Sequence, residues 1–270
     1  MTSIRTLGLA AAALAAAVAV PGAIQAQQQH ESVALEWQES MQPGSRIFLY
    51  NVNGGITVEA TSGSSVEVVA HQRWTRGDPD LVRVEARKTG GGNALVCAFW
   101  TEEATCDEDG YSRQRMHNER NDRNDVSVHY IVRLPAGVHV TSSTVNGGIT
   151  ITAVSGEIDA RTVNGGIKAE SAGGPVRART VNGSIDARMG SVPRDDIRYE
   201  TVNGAITISV PEDMSARLSL RTTNGSIRSD FPVTVQGRLN PRRLDAQLGD
   251  GGPNVEARTV NGSVRLLRNQ

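Results

Sequence analysis

Aromatic residues are scarce: three Trp, four Tyr and three Phe, 4% of 270 residues. So few cannot build the stacking platforms that hold single-stranded nucleic acid. A charge bias is lacking too. Lys and Arg number 28 against 29 Asp and Glu; without Arg5 of the leader described below (28 − 1 = 27) the balance is −2. Global charge therefore points to neither a nucleic acid nor a membrane partner. Beyond residue 26 no apolar run is long enough to span a bilayer as a helix. Gly-x-Ser-x-Gly and a Gly-Lys-Ser phosphate loop are absent, and His30, His71, His117, His129 and His139 never fall at His-x-x-x-His spacing. No cofactor is read from this sequence, and no metal site. Enzyme activity is not expected.

The exception to the missing apolar runs is the leader. Arg5 is its lone charge, Leu7 to Val20 is nearly all Ala, Leu and Val, and Pro21-Gly22 precede a small residue at Ala26. That order is a secretory signal peptide over 1–26, and it places the protein in the periplasm or outside the cell. The run is too short and alanine-rich for a membrane anchor, and no Cys stands at the junction to carry lipid. Cysteine is nearly absent: only Cys97 and Cys106 occur. An even count in an exported chain predicts a disulfide, worth about 2–3 kcal/mol for so short a loop. A metal site would need two further ligands, and only His117 is near.

What the chain has in excess is one phrase. Thr-Val-Asn-Gly stands at 144–147, 162–165, 180–183, 201–204 and 259–262, with near-copies at 51–54 and 222–225. A period of 18 to 21 residues marks a stack of similar units. Apolar pairs two apart recur every nine residues, as in Ile149/Ile151, Ile158/Ala160 and Ile167/Ala169, which reads as short strands with one buried face. Val-Asn-Gly corners alternate with a second, varied kind. The fold expected is all-β, a single-stranded β-solenoid (β-helix) with coils of about 18–21 residues. An antiparallel meander or sandwich is the alternative, because Asn-Gly is also a strong hairpin signal. Stacking would bury Ile149, Ile158, Ile167, Val176, Ile185, Ile206, Leu218, Ile227, Val255 and Val264 in two facing columns. It would also line up Asn146, Asn164, Asn182, Asn203, Asn224 and Asn261 as a structural ladder along one edge, with each amide bonded to a neighbouring coil.

Three regions follow: the leader, 1–26; an N-terminal β region with the disulfide loop, 27–141, continuous with the solenoid; and the regular coils, 142–270. Residues 102–125 are polar and without periodicity, and read as an exposed loop. Between Ile227 and Val255 the repeat loosens around Pro232, Pro241 and Pro253, leaving an extra coil or a looped-out excursion. The places after the glycines hold Ile or Val where calcium-binding repeats need Asp.

The signal peptide, Pro43-Gly44-Ser45-Arg46, the Cys97/Cys106 pair, Val132-Arg133-Leu134-Pro135-Ala136-Gly137-Val138, the Thr-Val-Asn-Gly units and Asp230-Phe231-Pro232 are the telling residues. As a set they resemble the exported bacterial β-solenoid proteins grouped as "putative adhesins", a family of uncharacterised function. The resemblance covers nearly the whole exported chain. It implies a β-helix in the envelope or outside the cell and carries over no catalytic residue.

Outward positions of the Val-Asn-Gly strands form columns. One holds Arg161, Arg179, Glu200, Arg221 and Arg258, its neighbour Asp159, Arg177, Arg198, Ser219 and Glu256. Arg161, Arg177, Arg179, Arg198, Arg221 and Arg258 are the candidate face for an anionic ligand, since guanidinium forks suit carboxylate and phosphate. A solvated sheet face with weak ion pairs is the plainer reading. The function expected is non-catalytic: adhesion, scaffolding or envelope binding, with an envelope polysaccharide or another surface protein as partner. The alternatives are a carbohydrate-active β-helix lyase or hydrolase, and a lipid- or effector-sensing module.

Overall fold

A computed structural model describes residues 29–112, 124–191, 194–232, 234–235 and 240–269. The leader assigned to 1–26 lies outside the described residues, as do His117 and the polar stretch from 113 to 123. The described chain is all-β, with two three-residue 3-10 turns, Pro79–Leu81 and Gly90–Gly92. The strands form a sheet of ten, a sheet of eleven and a two-stranded hairpin.

Alternation decides which side of each strand faces in. In Ile158–Asn164, Ile158, Ala160 and Thr162 are buried while Arg161 and Val163 are exposed. Each repeat unit places its first strand in the eleven-stranded sheet and its second in the ten-stranded one. The successive pairs are His139–Asn146 with Ile149–Val154, Ile158–Asn164 with Ile167–Ser171, Val176–Arg179 with Ile185–Met189, and Ile197–Asn203 with Ile206–Val210. Like strands pair in parallel and in register: Val140 with Ile158 and Val176, and Ile149 with Ile167, Ile185 and Ile206. The Asn-Gly corners thus carry the chain from one sheet to the other and close no hairpin. Antiparallel pairing occurs towards the two ends, where His30–Ser40 lies against Ser65–Trp74, Arg83–Lys88 against Ala94–Phe99, and Arg243–Leu248 against Ala216–Asn224.

The repeated phrase has a mechanical meaning. A Cβ on Gly165 would lie 2.0 Å from the Gly147 carbonyl oxygen, and one on Gly183 would lie 1.9 Å from that of Gly165. Only glycine allows one corner to rest so closely on the next. The buried Thr of each phrase then donates its hydroxyl to the Gly carbonyl of the adjacent unit: Thr162 to Gly147, Thr180 to Gly165 and Thr201 to Gly183, each at 2.9 Å. A Thr at this place therefore satisfies an acceptor that the close approach would otherwise strand. This coupling of Thr to Gly was not read from the sequence.

The order of the last units departs from chain order. Unit 254–268 lies between unit 197–210 and unit 216–229: Val255 is flanked by Ile197 and Leu218, and Val264 by Ile206 and Ile227. Asn203 accordingly neighbours Asn261, which neighbours Asn224, so the expected step from Asn203 to Asn224 is corrected. Identical corners serve any order, and Thr259 caps Gly204 while Thr222 caps Gly262. The loosened interval is an excursion whose strand Arg243–Leu248 runs antiparallel on the outside of Ala216–Asn224.

The inner faces share one core. Nine of the ten predicted column residues are buried, each Ile or Val contributing roughly 1.5–3 kcal/mol. Ile227 is only half-buried, because its strand ends the ten-stranded sheet. Ile197 and Tyr199 also belong to the columns, although longer spacing hid them from the sequence pattern. The boundary drawn at 141 falls within the strand His139–Asn146, through which the two regions are continuous. The N-terminal region contributes a unit of its own, Arg46–Tyr50 with Ile56–Thr61, stacked on unit 139–154.

Candidate binding face

The outer face of the eleven-stranded sheet begins apolar and turns charged. At its N-terminal end Tyr50, Leu95, Cys97 and Phe99 point outward and are buried beneath residues 104–112. Thr105–Asp107 and Gly110–Ser112 form a hairpin there, and Cys106 is bonded to Cys97 with Cα atoms 6.5 Å apart. The exposed loop expected over 102–125 is corrected for this part: it packs through Ala104, Cys106 and Tyr111. The Tyr111 hydroxyl donates to the carbonyls of Ala98 (2.6 Å) and Tyr50 (3.0 Å). Burial pushes the Tyr50 phenol up to about 12, with Arg161 opposing and Asp109, Asp159 and Asp107 adding to the rise. The hairpin thus borders the charged part of the face.

Beyond it lies an open groove of about 290 Å³, lined by Asp159, Arg161, Arg177, Arg179, Arg198 and Glu200. Parallel registry brings these together from three successive units. Arg161 forks onto its own strand's Asp159 (3.0 and 2.8 Å). Glu200 accepts from Arg179 Nε at 2.6 Å and from Arg198 Nε at 2.8 Å. Burial raises the Glu200 carboxyl, but the bonds from Arg198 and Arg179 outweigh it and hold the group below its ordinary range. Glu157, at the other kind of corner, is likewise raised by burial and pulled down further by Arg46 and Arg177. It ties the N-terminal unit to the repeat, a link no sequence column contains.

The remaining arginines follow the corrected order. Glu200 is in register with Arg258, Arg258 with Arg221, and Arg221 with Arg243 across the antiparallel pair. Arg221 lies 3.9 Å from Asp245, whereas Arg258 is exposed and has no ion pair among the described residues. Arg243 was not among the sequence candidates, because the excursion that carries it has no repeat. On the other flank of the arginines stand Val163, Val181 and Val202, 39%, 38% and 40% exposed.

At the edge of this face the asparagine amides bond one another: Asn164 to Asn146, Asn182 to Asn164, Asn203 to Asn182, Asn261 to Asn203 and Asn224 to Asn261, at 2.7–2.9 Å. They are exposed, so their partners are side chains and not buried backbone groups. The histidines serve locally. His139 Nδ1 accepts the Glu157 N–H at 2.8 Å, its pKa lowered by burial and then by Arg46. His129 Nδ1 accepts from Gly55 at 3.3 Å. Among the described residues no three His, Cys, Asp or Glu gather as a metal site, and no helix is long and apolar enough to cross a membrane.

No family model matches the chain, and no curated protein matches it. Solved structures are similar to the chain, among them two bacterial proteins. A "putative cell adhesion protein" from Clostridium sporogenes is 10% identical with a TM-score of 0.46, covering 90% of this chain and 100% of its own. A "putative adhesin" from Bacteroides fragilis is 11% identical with a TM-score of 0.32, covering 90% and 98%. At these values neither likeness decides the fold or the function of this chain.

Proposed function

We propose that the protein is an exported β-solenoid that binds and does not catalyse: an adhesive, scaffold or envelope-binding protein. One observation carries the choice against a polysaccharide hydrolase. The groove's acids are both committed to arginines, and Glu200 is held below the ordinary carboxylate range. A glycosidase needs the reverse, a carboxyl kept protonated near neutral pH to serve as acid. The repeated Thr, Asn and Gly are spent on stacking the units. A disulfide between Cys97 and Cys106 suits an oxidising compartment, in keeping with the leader read at 1–26.

The test is to incubate the exported protein with isolated cell-envelope material and with acidic and neutral polysaccharides, following retention and release of product together. Retention that weakens with salt, with no new reducing ends or unsaturated sugars, is expected. Turnover that disappears in Glu200→Gln would overturn the proposal.

A further inference from the structure

We propose that the charged face takes a linear acidic polysaccharide, a polyuronate chain lying across the strands along a row of arginines. The inference rests on the binding role proposed above and names its ligand class. The row is Arg161, Arg179, Glu200, Arg258, Arg221 and Arg243, one residue from each of six adjacent strands. It carries five cations and one acid, at a step of about 4.8 Å. The row that flanks it is mixed, with Asp159, Arg177, Arg198, Glu256, Ser219 and Asp245.

Local pairing takes Arg161, which is forked onto Asp159, but does not use up the row. Glu200 is already shared by Arg179 and Arg198. Asp245 must serve both Arg243 and Arg221, the latter only at 3.9 Å. Arg258, in the middle of the C-terminal half, has no ion pair among the described residues. A carboxylate can meet such a guanidinium as a two-point fork. A single anion would engage one fork. A polymer with a carboxylate on every sugar engages several at once, and each further contact is intramolecular.

The valines give the rest of the ligand its place. Val163, Val181 and Val202 run beside the arginines and are about two-fifths exposed, and the asparagine amides lie just beyond. A sugar ring offers a C–H face to the first and hydroxyls to the second. So little apolar surface is too small to hold a bilayer. Bases would lack a stacking partner, since the outward aromatics Tyr50 and Phe99 are buried beneath the hairpin.

The experiment measures binding of the exported protein to oligogalacturonates of increasing length, with dextran, galacturonic acid monomer and phosphatidylglycerol vesicles as comparison probes. Affinity is expected to rise with oligomer length and fall with salt. The double variant Arg221→Gln/Arg258→Gln should bind the longest oligomer about tenfold or more weakly, the scale of charge-assisted bonds lost. Lys168→Gln, on the other sheet, should bind as the parent does. Monomer binding as tight as the polymer, a double variant equal to the parent, or equal capture by vesicles would overturn the inference. Loss of oligogalacturonate binding with envelope retention intact would overturn the polyuronate alone. Loss of both would overturn the binding role as well.

Discussion

Residues 29–141 and residues 142–269 solve one problem in two ways. In the second region the neighbour of a residue is a copy of itself, so one good contact is made again at every unit: glycine on glycine carbonyl, asparagine on asparagine, isoleucine on isoleucine. The first region holds one unit with the Asn-Gly corner, Arg46–Tyr50 with Ile56–Thr61, and a second parallel strand pair without it, Ala94–Phe99 with Ser127–Pro135, and then the plan stops. It covers what remains with unlike parts: antiparallel strands along the sheet, large side chains, and a disulfide-bonded hairpin laid over the outer face. A stack gains its contacts by repetition, and its end must be closed by something that does not repeat. The other end is closed less fully. The excursion strand covers the eleven-stranded sheet, while Ile227–Ser229 ends the ten-stranded one and leaves Ile227 half-open.

The glycines break this comparison hardest. At Gly183 a methyl group would stand 1.9 Å from a backbone oxygen and 2.5 Å from its carbon, so two units must move apart. Gly183→Ala is expected to destabilise by about 3 kcal/mol or more, the upper range of overpacking. At Gly90, in the first region, the same methyl meets nothing within 4 Å, and Gly90→Ala should leave the melting temperature unchanged or slightly raised. Thermal unfolding of the two variants beside the parent checks the contrast. Equal melting temperatures would mean that the corners are not in such contact.

Removing the disulfide comes next. Cys97→Ala with Cys106→Ala should cost about 2–3 kcal/mol, and the loss should be local. Hydrogen exchange should quicken in 94–112 and in Arg46–Tyr50 beneath the hairpin, while the strands from Ile158 to Val210 keep their protection. Loss of protection spread evenly over both regions would show that the hairpin supports the whole stack.

The two regions also differ in how far they could be read. Strand pairs, the period and the inward columns were legible from Ile149 to Ile185, because copying writes the same instruction many times. Ile197 and Tyr199 escaped because extra residues after Met189 lengthen their unit. The order of the last units escaped for the opposite reason: identical corners fit in any order, so Asn261 carries no mark that places it between Asn203 and Asn224. The hairpin at 104–112 was hidden by its polarity, since its packing depends on Tyr111 and a covalent bond and not on alternation. The arginine columns were legible from Arg161 to Glu200, but not their later order, in which Arg258 precedes Arg221. Arg46 bound to Glu157 and Arg243 set against Arg221 were not, since each joins a repeat to a segment outside it.

The smallest effect separates two asparagines in the same kind of corner. Asn51 takes the place that Thr holds in the other phrases and is 2% exposed. Its amide donates to the carbonyls of Val128 at 2.7 Å and Gly54 at 3.2 Å, and its oxygen accepts the Val52 N–H at 2.9 Å. Asn51→Ala takes its donor from the Val128 carbonyl, while the Gly54 carbonyl keeps the Thr144 hydroxyl at 3.0 Å, and it should cost about 1–3 kcal/mol. Asn182 sits in the ladder, where it donates to Asn164 and accepts from Asn203 on an exposed edge. Water can replace either bond there, so Asn182→Ala should cost only about 0.5–1.5 kcal/mol. Urea unfolding of both variants gives the comparison directly. Asn51→Ala should lower the midpoint more, with the slope unchanged in each. A larger loss for Asn182→Ala would mean that the ladder acts cooperatively along the stack, each amide polarising the next, and that an exposed row of side chains holds the units together as firmly as a buried one.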